Sequence, residues 1–185
     1  MSILTDDASR LHRLFGEAFF RFKGGQVALS EIGEINQKLK PGQRLLGLDI
    51  GSKTIGLALS DTLLTIATPA ETITREKFTK DVERLGEIIA AEDVGGLVLG
   101  LPVQMDGTEG PKCQSVRQFA ENLLEKMDIP IAFWDERLST AAIERLLVRE
   151  VDMTRKRRAQ VVDKMAAAYI LQGALDAIAI GNLGP

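Results

Sequence analysis

The stretch LLGLDIGSKTIGLALS, residues 45–60, decides the fold. Residues 45–50 are apolar apart from Asp49, which is typical of a buried strand. The following Gly51-Ser52-Lys53 predicts a turn, and residues 54–60 are apolar enough to form the returning antiparallel strand. The main domain is therefore predicted to open with a β-hairpin.

Downstream of the hairpin, strand and helix patterns alternate. A third strand contains Pro69, which indicates a break or a sheet edge near its start. The helices show apolar residues three to four positions apart. The segments are a strand at 68–74, a helix from Glu76, a strand at 96–101, a helix through 116–127, a strand at 129–134, and helices at 140–150 and 156–180. A hairpin followed by this alternation predicts an α/β fold, with a mixed sheet and helices packed on its faces.

Residues 1–43 differ from the rest of the chain. Residues 8–22 can form an amphipathic helix, Lys23-Gly24-Gly25 ends it, and Pro41-Gly42 marks the entrance to the main domain. A docking helix, a dimer contact and a poorly ordered extension all remain open. We divide the chain into a helical extension (1–43), a main domain (44–181) and a short tail (182–185).

Composition narrows the class of protein. No apolar run approaches the roughly 20 residues that span a bilayer, and the start lacks the pattern of a signal peptide. The single cysteine, Cys113, is compatible with a reducing compartment. The net charge of −3 argues against a protein that coats nucleic acid generally. We therefore expect a soluble cytoplasmic chain.

Asp49 is an aspartate inside an apolar strand. Burying its charge costs several kcal/mol unless it faces an opening or a cation. The nearby Gly51 would let a bound ion or phosphate approach the backbone closely. A simpler interpretation is that Asp49 caps the turn; both remain open, and the burial cost favours a site.

Two further acidic features, the pair Asp135-Glu136 and the single Asp163, stand out by their placement in the sequence. Asp135 and Glu136 end a buried strand, and the carboxyl ends of strands are where ligands bind in open α/β sheets. A charged helix start would explain the same pair equally well. Asp163 lies on a helix face otherwise made of small apolar residues, where an aspartate is unusual unless it points into a polar pocket.

Several carboxylates in one groove predict a site for hard divalent cations, Mg²⁺ or Mn²⁺. Two such ions about 3.5–4 Å apart can activate water and stabilise the leaving oxygen in phosphodiester hydrolysis. The lone histidine, His12, lies in the extension and is a poor candidate for a general base. Cys113 is best interpreted as a small structural residue, and Trp134 as a core residue beside the site.

Four ordered segments resemble the motifs of the YqgF/RuvX family of Holliday junction resolvase-like proteins. They are DIGSKTIGLA at 49–58, GLP at 100–102 with MDGTEG at 105–110, DERLST at 135–140, and VDKMAA at 162–167. Each motif is weak alone, but the ordered set spans nearly all of the main domain. The long segment before Leu45 departs from the family, whose members usually begin just before the first strand.

The resemblance implies a ribonuclease H-like fold with a five-stranded mixed sheet, and a divalent-metal nuclease. It also implies maturation of the 5′ end of 16S ribosomal RNA or, in an older assignment, cleavage of four-way DNA junctions. The implied catalytic and metal-binding carboxylates are Asp49, Glu136 and Asp163, with Asp135 as the substitute for Glu136. The implied phosphate contacts are Lys53, Arg137, Arg155, Lys156, Arg157 and Arg158. The last four form a basic cluster that a solvated helix start would also explain.

Two other classes of protein compete with the nuclease. The first motif also resembles a phosphate loop of actin-like phosphotransferases, but the chain is too short for their second domain. A non-catalytic nucleic-acid-binding module would more often have lost one of the three carboxylates. The sequence leaves RNA against DNA open, and it leaves open whether the chain acts as a homodimer.

Overall fold

The computed structural model describes residues 29–138 and 155–182, of which 138, 155–160 and 182 are described by their backbone alone. Five strands and three α-helices make up the described part, together with 3-10 turns at Ile35–Lys38 and Glu136–Leu138. The strands are β1 (Arg44–Ile50), β2 (Thr54–Ser60), β3 (Ala67–Thr74), β4 (Val94–Leu101) and β5 (Ile131–Asp135). The helices are α1 (Phe78–Ala91), α2 (Pro111–Leu124) and α3 (Arg155–Asn182).

The strands form one mixed sheet in the order β3-β2-β1-β4-β5. β2 is antiparallel to both β1 and β3, whereas β1, β4 and β5 run parallel. This order and these directions are those of the ribonuclease H-like fold, so the predicted fold is confirmed. The carboxyl ends of β1, β4 and β5 consequently meet at one edge of the sheet, which is where ligands bind in such sheets.

The two faces of the sheet bury separate clusters because side chains alternate along each strand. Leu46 and Leu48 of β1 join the cluster beneath α1 and α2. Leu45 joins the cluster beneath α3. Continuing the alternation places Asp49 on the α3 face, two residues beyond Gly47. The sheet therefore presents Asp49 to the long helix.

Glycines let α3 lie very close to the sheet. A Cβ atom built on Gly47 of β1 would lie 2.7 Å from Cβ of Leu171 and 2.9 Å from the carbonyl oxygen of Ala167. A Cβ atom on Gly56 of β2 would collide with the carbonyl group of Asp163. The expected close packing of a small-residue helix face on the sheet is thus present, with Ala167 and its neighbours buried.

The element boundaries differ from the expectations by a few residues. β4 begins at Val94 and β5 ends at Asp135 because each pairs with its parallel neighbour along those lengths. α1 begins at Phe78, and α2 ends at Leu124, where hydrogen-bonded turns carry the chain on to Met127. β3 is an edge strand, as Pro69 indicated.

The described end of the N-terminal segment lies beside β5, at one edge of the sheet. Ser30 forms a parallel bridge with Ala132 of β5, and Ile35 is fully buried in the cluster beneath α3. The predicted helix at 8–22 and the predicted helix at 140–150 lie outside the described residues. Within the described ranges, no helix combines the length and apolar character needed to cross a bilayer.

Candidate metal centre

Asp49 and Asp163 meet where α3 crosses the β1-β2 hairpin. Asp49 lies opposite Gly56 in the strand register, and the backbone of Asp163 lies directly against Gly56. Because Gly56 lacks a side chain, the start of α3 can reach the level of Asp49. The two aspartates interact electrostatically across this contact.

Glu136 comes from the end of β5, an edge strand, and lies on the same face of the sheet as Asp49. It follows β5 directly, and its Oε1 atom lies over Gly100 of β4, where a Cβ atom would collide with it. Ile170 of α3 packs against the same glycine. The carboxylate of Glu136 is therefore held between β4 and α3, on the side of Asp49.

The environment of these carboxylates disfavours their charged forms. Burial, and next the charge of Asp163, raise the pKa of Asp49 from 3.8 to about 6. Burial, and next the charge of Asp49, raise the pKa of Glu136 from 4.5 to about 7. In both cases Lys112 acts in the opposite direction. Desolvation of like charges in one groove is a mark of functional sites.

Asp135 has a different partner and a different environment. Its carboxylate accepts hydrogen bonds from the Arg137 guanidinium, with Nε lying 3.0 and 2.9 Å from the two oxygens. It also accepts a bond from the Arg137 amide at 3.0 Å. These bonds lower the pKa of Asp135. The structure therefore separates the acidic pair: Asp135 is bound to Arg137, while Glu136 lies in the groove with Asp49.

The comparisons with known proteins decide the family. The family described as "RuvX: Holliday junction resolvase" matches residues 43–177. The chain belongs to the RuvX family. A relative from Paramagnetospirillum magneticum is 66% identical over 143 residues, covering 77% of this chain and 92% of its own length. One from Rhodospirillum centenum is 54% identical over 164 residues, covering 86% and 87%. Both carry the name "Putative pre-16S rRNA nuclease".

Solved structures give more distant matches. A Thermus thermophilus RuvC in complex with a Holliday junction substrate has 16% identity and a TM-score of 0.45, covering 77% of this chain and 96% of its own. The yeast mitochondrial Holliday junction resolvase Ydc2 has 10% identity and a TM-score of 0.45, with coverage of 95% and 98%. The family resemblance is thus confirmed by the sequence relatives, which places the chain among divalent-metal-dependent nucleases that act on nucleic acid.

The donor set of this RuvX-family chain suits a hard cation. Carboxylate oxygens are the ligands that Mg²⁺ and Mn²⁺ prefer, and a cation would offset the burial and the repulsion that raise the pKa values of Asp49 and Glu136. Among the described residues, no three acidic, histidine or cysteine side chains are gathered tightly enough to enclose an ion. Asp49 is the shared member of two interacting acidic pairs, so we expect it to be the central ligand.

Asp49 does not cap the turn that follows it. Within the described residues its carboxylate forms no hydrogen bond or ion pair with another group. The glycine after it also has a local explanation: the Gly51 amide donates to the carbonyl oxygen of Thr54 at 2.9 Å, and a Cβ atom on Gly51 would lie 3.0 Å from that oxygen. The close approach expected of an ion or phosphate at Gly51 is therefore made by Thr54.

Lys112 is a site residue that the sequence analysis missed. It lies in the first turn of α2, exposed to solvent, and its charge reaches both Asp49 and Glu136. A lysine in a charged sequence carries no distinctive pattern. The only available signal was its position after the glycine-rich loop that leaves β4, at the same sheet edge as Asp49.

The other predicted phosphate contacts are distributed around the groove. Lys53 is exposed in the turn after β1. Arg137 is engaged with Asp135 and also approaches the carbonyl oxygen of Gln104 at 3.4 Å, which ties it to the loop after β4. Arg155–Arg158 begin α3, and their side chains lie outside the described residues. Cys113 is buried and donates to the carbonyl oxygen of Pro102 at 3.0 Å, in keeping with a structural role.

The raised pKa values predict how pH affects the metal-free protein. The pKa of Asp49 is about 6 in the folded protein and 3.8 ordinarily. Between pH 3.8 and pH 6 the folded state therefore binds more protons than the unfolded state. The contribution of Asp49 to stability is therefore greatest at low pH and is lost as pH rises through about 6. In EDTA, the free energy of unfolding should fall between pH 5 and pH 8.

Replacing Asp49 by Asn isolates this effect, because other titrating groups are common to both proteins. The variant should gain about 3 kcal/mol over the parent at pH 8 and about half of that at pH 5. Urea unfolding at both pH values measures it. The pKa of Asp135 is lowered, so this group titrates below the pH range of the comparison and does not affect it. Equal pH dependence in the two proteins would contradict the assignment.

Proposed function

We propose that this chain hydrolyses phosphodiester bonds at the 5′ end of precursor 16S ribosomal RNA, in the cytoplasm, with two Mg²⁺ or Mn²⁺ ions. One observation carries the proposal: Asp49 lies in a desolvated groove between Glu136 and Asp163, at the sheet edge formed by the parallel strands. The names of the sequence relatives supply the substrate.

Asp49, Glu136 and Asp163 would hold the ions, which supply an activated water and stabilisation of the leaving oxygen. Asp49, on the central strand of the sheet, fixes the position of the site. Glu136 reaches it from the end of β5, and its pKa of about 7 allows its carboxyl group to hold a proton near neutral pH until a cation displaces it. The groove is bounded by the sheet on one side and by α3 on the other.

The cations of the chain would bind the phosphate backbone around this groove. The charge of Lys112 acts on both Asp49 and Glu136, and Lys53 lies on the turn that follows β1. The four basic residues 155–158 begin α3, the helix that also carries Asp163. Phosphate contacts of this kind position a nucleic acid without reading its sequence.

A cleavage assay tests the proposal. The full chain is incubated with Mg²⁺ or Mn²⁺ and either a 5′-extended precursor of 16S ribosomal RNA or a synthetic four-way DNA junction. Metal-dependent shortening of the RNA at its 5′ end, with the junction intact, is the expected result. Binding of both substrates without cleavage in either metal would refute the proposal in favour of a binding module.

The second candidate is resolution of four-way DNA junctions, and the description of the matching family favours it. A resolvase must cut two strands symmetrically, so this function would require a homodimer. Paired, symmetric cuts in the junction, together with a dimeric mass by light scattering, would support it. A monomer that trims RNA would exclude it.

The division of labour between Glu136 and Asp135 gives a direct prediction. Glu136→Gln should lower kcat about a hundredfold and weaken Mn²⁺ binding, because it removes a carboxylate from the groove. Asp135→Asn should lower kcat less than about tenfold, since it only loosens Arg137. Single-turnover cleavage and calorimetric Mn²⁺ titration measure both. A larger loss of kcat in Asp135→Asn than in Glu136→Gln would make Asp135, rather than Glu136, the metal ligand.

A further inference from the structure

Among the residues that the structure describes, Arg75, directly after β3, holds the turn that follows Asp49 from outside. Within the turn, the Gly51 amide donates to the Thr54 carbonyl oxygen at 2.9 Å. From outside, the Arg75 amide donates to the Lys53 carbonyl oxygen at 2.9 Å. The Arg75 guanidinium donates from Nη1 to the Gly51 carbonyl oxygen at 2.8 Å. Arg75 therefore fixes the turn at two of its carbonyl groups.

The guanidinium of Arg75 is itself fixed from two further directions. Its Nε atom lies 3.4 Å from Oδ2 of Asp81, a side chain only 2% exposed. The other carboxylate oxygen of Asp81 accepts from the Glu76 amide at 3.2 Å. On its flat side, the guanidinium carbon lies 5.4 Å from the ring centroid of Phe119 in α2. Arg75 thus connects α1 and α2 to the backbone two residues beyond Asp49.

A buried ion pair of this kind is a weak source of stability, because desolvation offsets most of the attraction. It does impose geometry: the planar fork of Arg75 satisfies the Asp81 carboxylate and the Gly51 carbonyl group at once, which a lysine cannot do. The feature it orients is the short turn at the end of β1. Asp49 has no hydrogen-bonding partner of its own among the described residues, so its position depends on its backbone.

We propose that Arg75 is a positioning residue for the metal site, holding the Gly51 carbonyl group so that Asp49 presents its carboxylate to the cation. This inference rests on the proposed function for the identity of the site. Supporting residues of this type typically change metal affinity or activity by about 10–100-fold when they are removed.

Arg84 of α1 provides a matched control. It also joins α1 to β3, with Nε and Nη2 donating to the two carboxylate oxygens of Glu71 at 3.0 and 2.8 Å. It contacts no residue of the turn after β1. Arg84→Met should therefore lower the melting temperature without changing the metal site.

The experiment compares Asp81→Asn, Asp81→Asn with Arg75→Met, and Arg84→Met, well below their melting temperatures. Placing Arg75→Met in the Asp81→Asn background avoids leaving a buried unpaired carboxylate. Mn²⁺ affinity is measured by electron paramagnetic resonance, and kcat and KM are measured on the cleaved substrate. The double variant should bind Mn²⁺ about tenfold more weakly than Asp81→Asn and lose about 10–100-fold in kcat, with KM little changed.

Arg75→Lys completes the set. Relative to the wild type, this variant should lose less of the melting temperature than of the Mn²⁺ affinity. The reason is that a lysine keeps the charge beside Asp81 but cannot also donate to the Gly51 carbonyl group. A folded double variant with the Mn²⁺ affinity and kcat of Asp81→Asn would overturn the inference. If the wild type binds Mn²⁺ but cleaves neither substrate, the proposed function fails, and the Mn²⁺ affinities still decide the role of Arg75.

Discussion

Asp49→Asn is expected to lower the rate of metal-dependent cleavage by about 10³-fold, while the protein stays folded and still binds its substrate. Asp49 is the shared member of the two acidic interactions in the groove, with Asp163 and with Glu136. An amide is a weaker ligand for a hard cation than a carboxylate. The variant therefore loses the ligand that both interactions have in common. Single-turnover cleavage at saturating enzyme measures the loss.

Two comparisons make this result interpretable. Asp61→Asn changes an exposed aspartate at the far end of β2, which accepts hydrogen bonds from Thr65 and Ile66; it should cleave at the parental rate. The thermal shift caused by Mn²⁺ should disappear in Asp49→Asn and persist in Asp61→Asn. A variant at position 49 that cleaves normally would remove Asp49 from the reaction, whatever its effect on stability.

Much of the fold could be predicted because the decisive patterns are local. The apolar strands 45–50 and 54–60, with a short polar turn between them, define a hairpin by themselves. The alternation of strand and helix then restricts β4 and β5 to parallel neighbours. Boundaries were less predictable, because the ends of β4 and β5 are set by pairing with each other rather than by their own residues.

Asp49 and Asp163 could be proposed from the sequence because each breaks a local rule, as an aspartate in a buried strand does, whereas Glu136 was proposed from its place at a strand end and from the family resemblance. The supporting residues break none. Lys112 and Arg75 are ordinary charged residues in polar segments, and only the fold brings them beside the Asp49 turn. The sequence around Gly51 likewise does not show that the carbonyl oxygen of Thr54 lies beside it.

Gly56→Val is the structural counterpart of the Asp49 substitution, and we expect it to disrupt both packing and activity. A Cβ atom at position 56 would collide with the carbonyl group of Asp163 and lie 3.0 Å from the Lys164 amide nitrogen. These are backbone atoms, so α3 must move away from the sheet. Overpacking of this kind costs about 1–3 kcal/mol, and a shift of about 1 Å at Asp163 can cost a hundredfold in rate.

Gly95→Val is the matched control, because it changes a strand glycine of β4 whose added side chain would meet the flexible side chain of Gln43. The outer atoms of that side chain can turn away, with loss of the Gln43 hydrogen bonds to Lys40 and Asp93, so stability should fall slightly while cleavage stays unchanged. Urea unfolding, cleavage and Mn²⁺ affinity are compared in the two variants. If Gly56→Val retains parental Mn²⁺ affinity, Asp163 does not need its close approach to β2, and the metal centre must rest on Asp49 and Glu136. If only Gly56→Val loses affinity, the glycine in the first motif is required because it brings α3 to the metal.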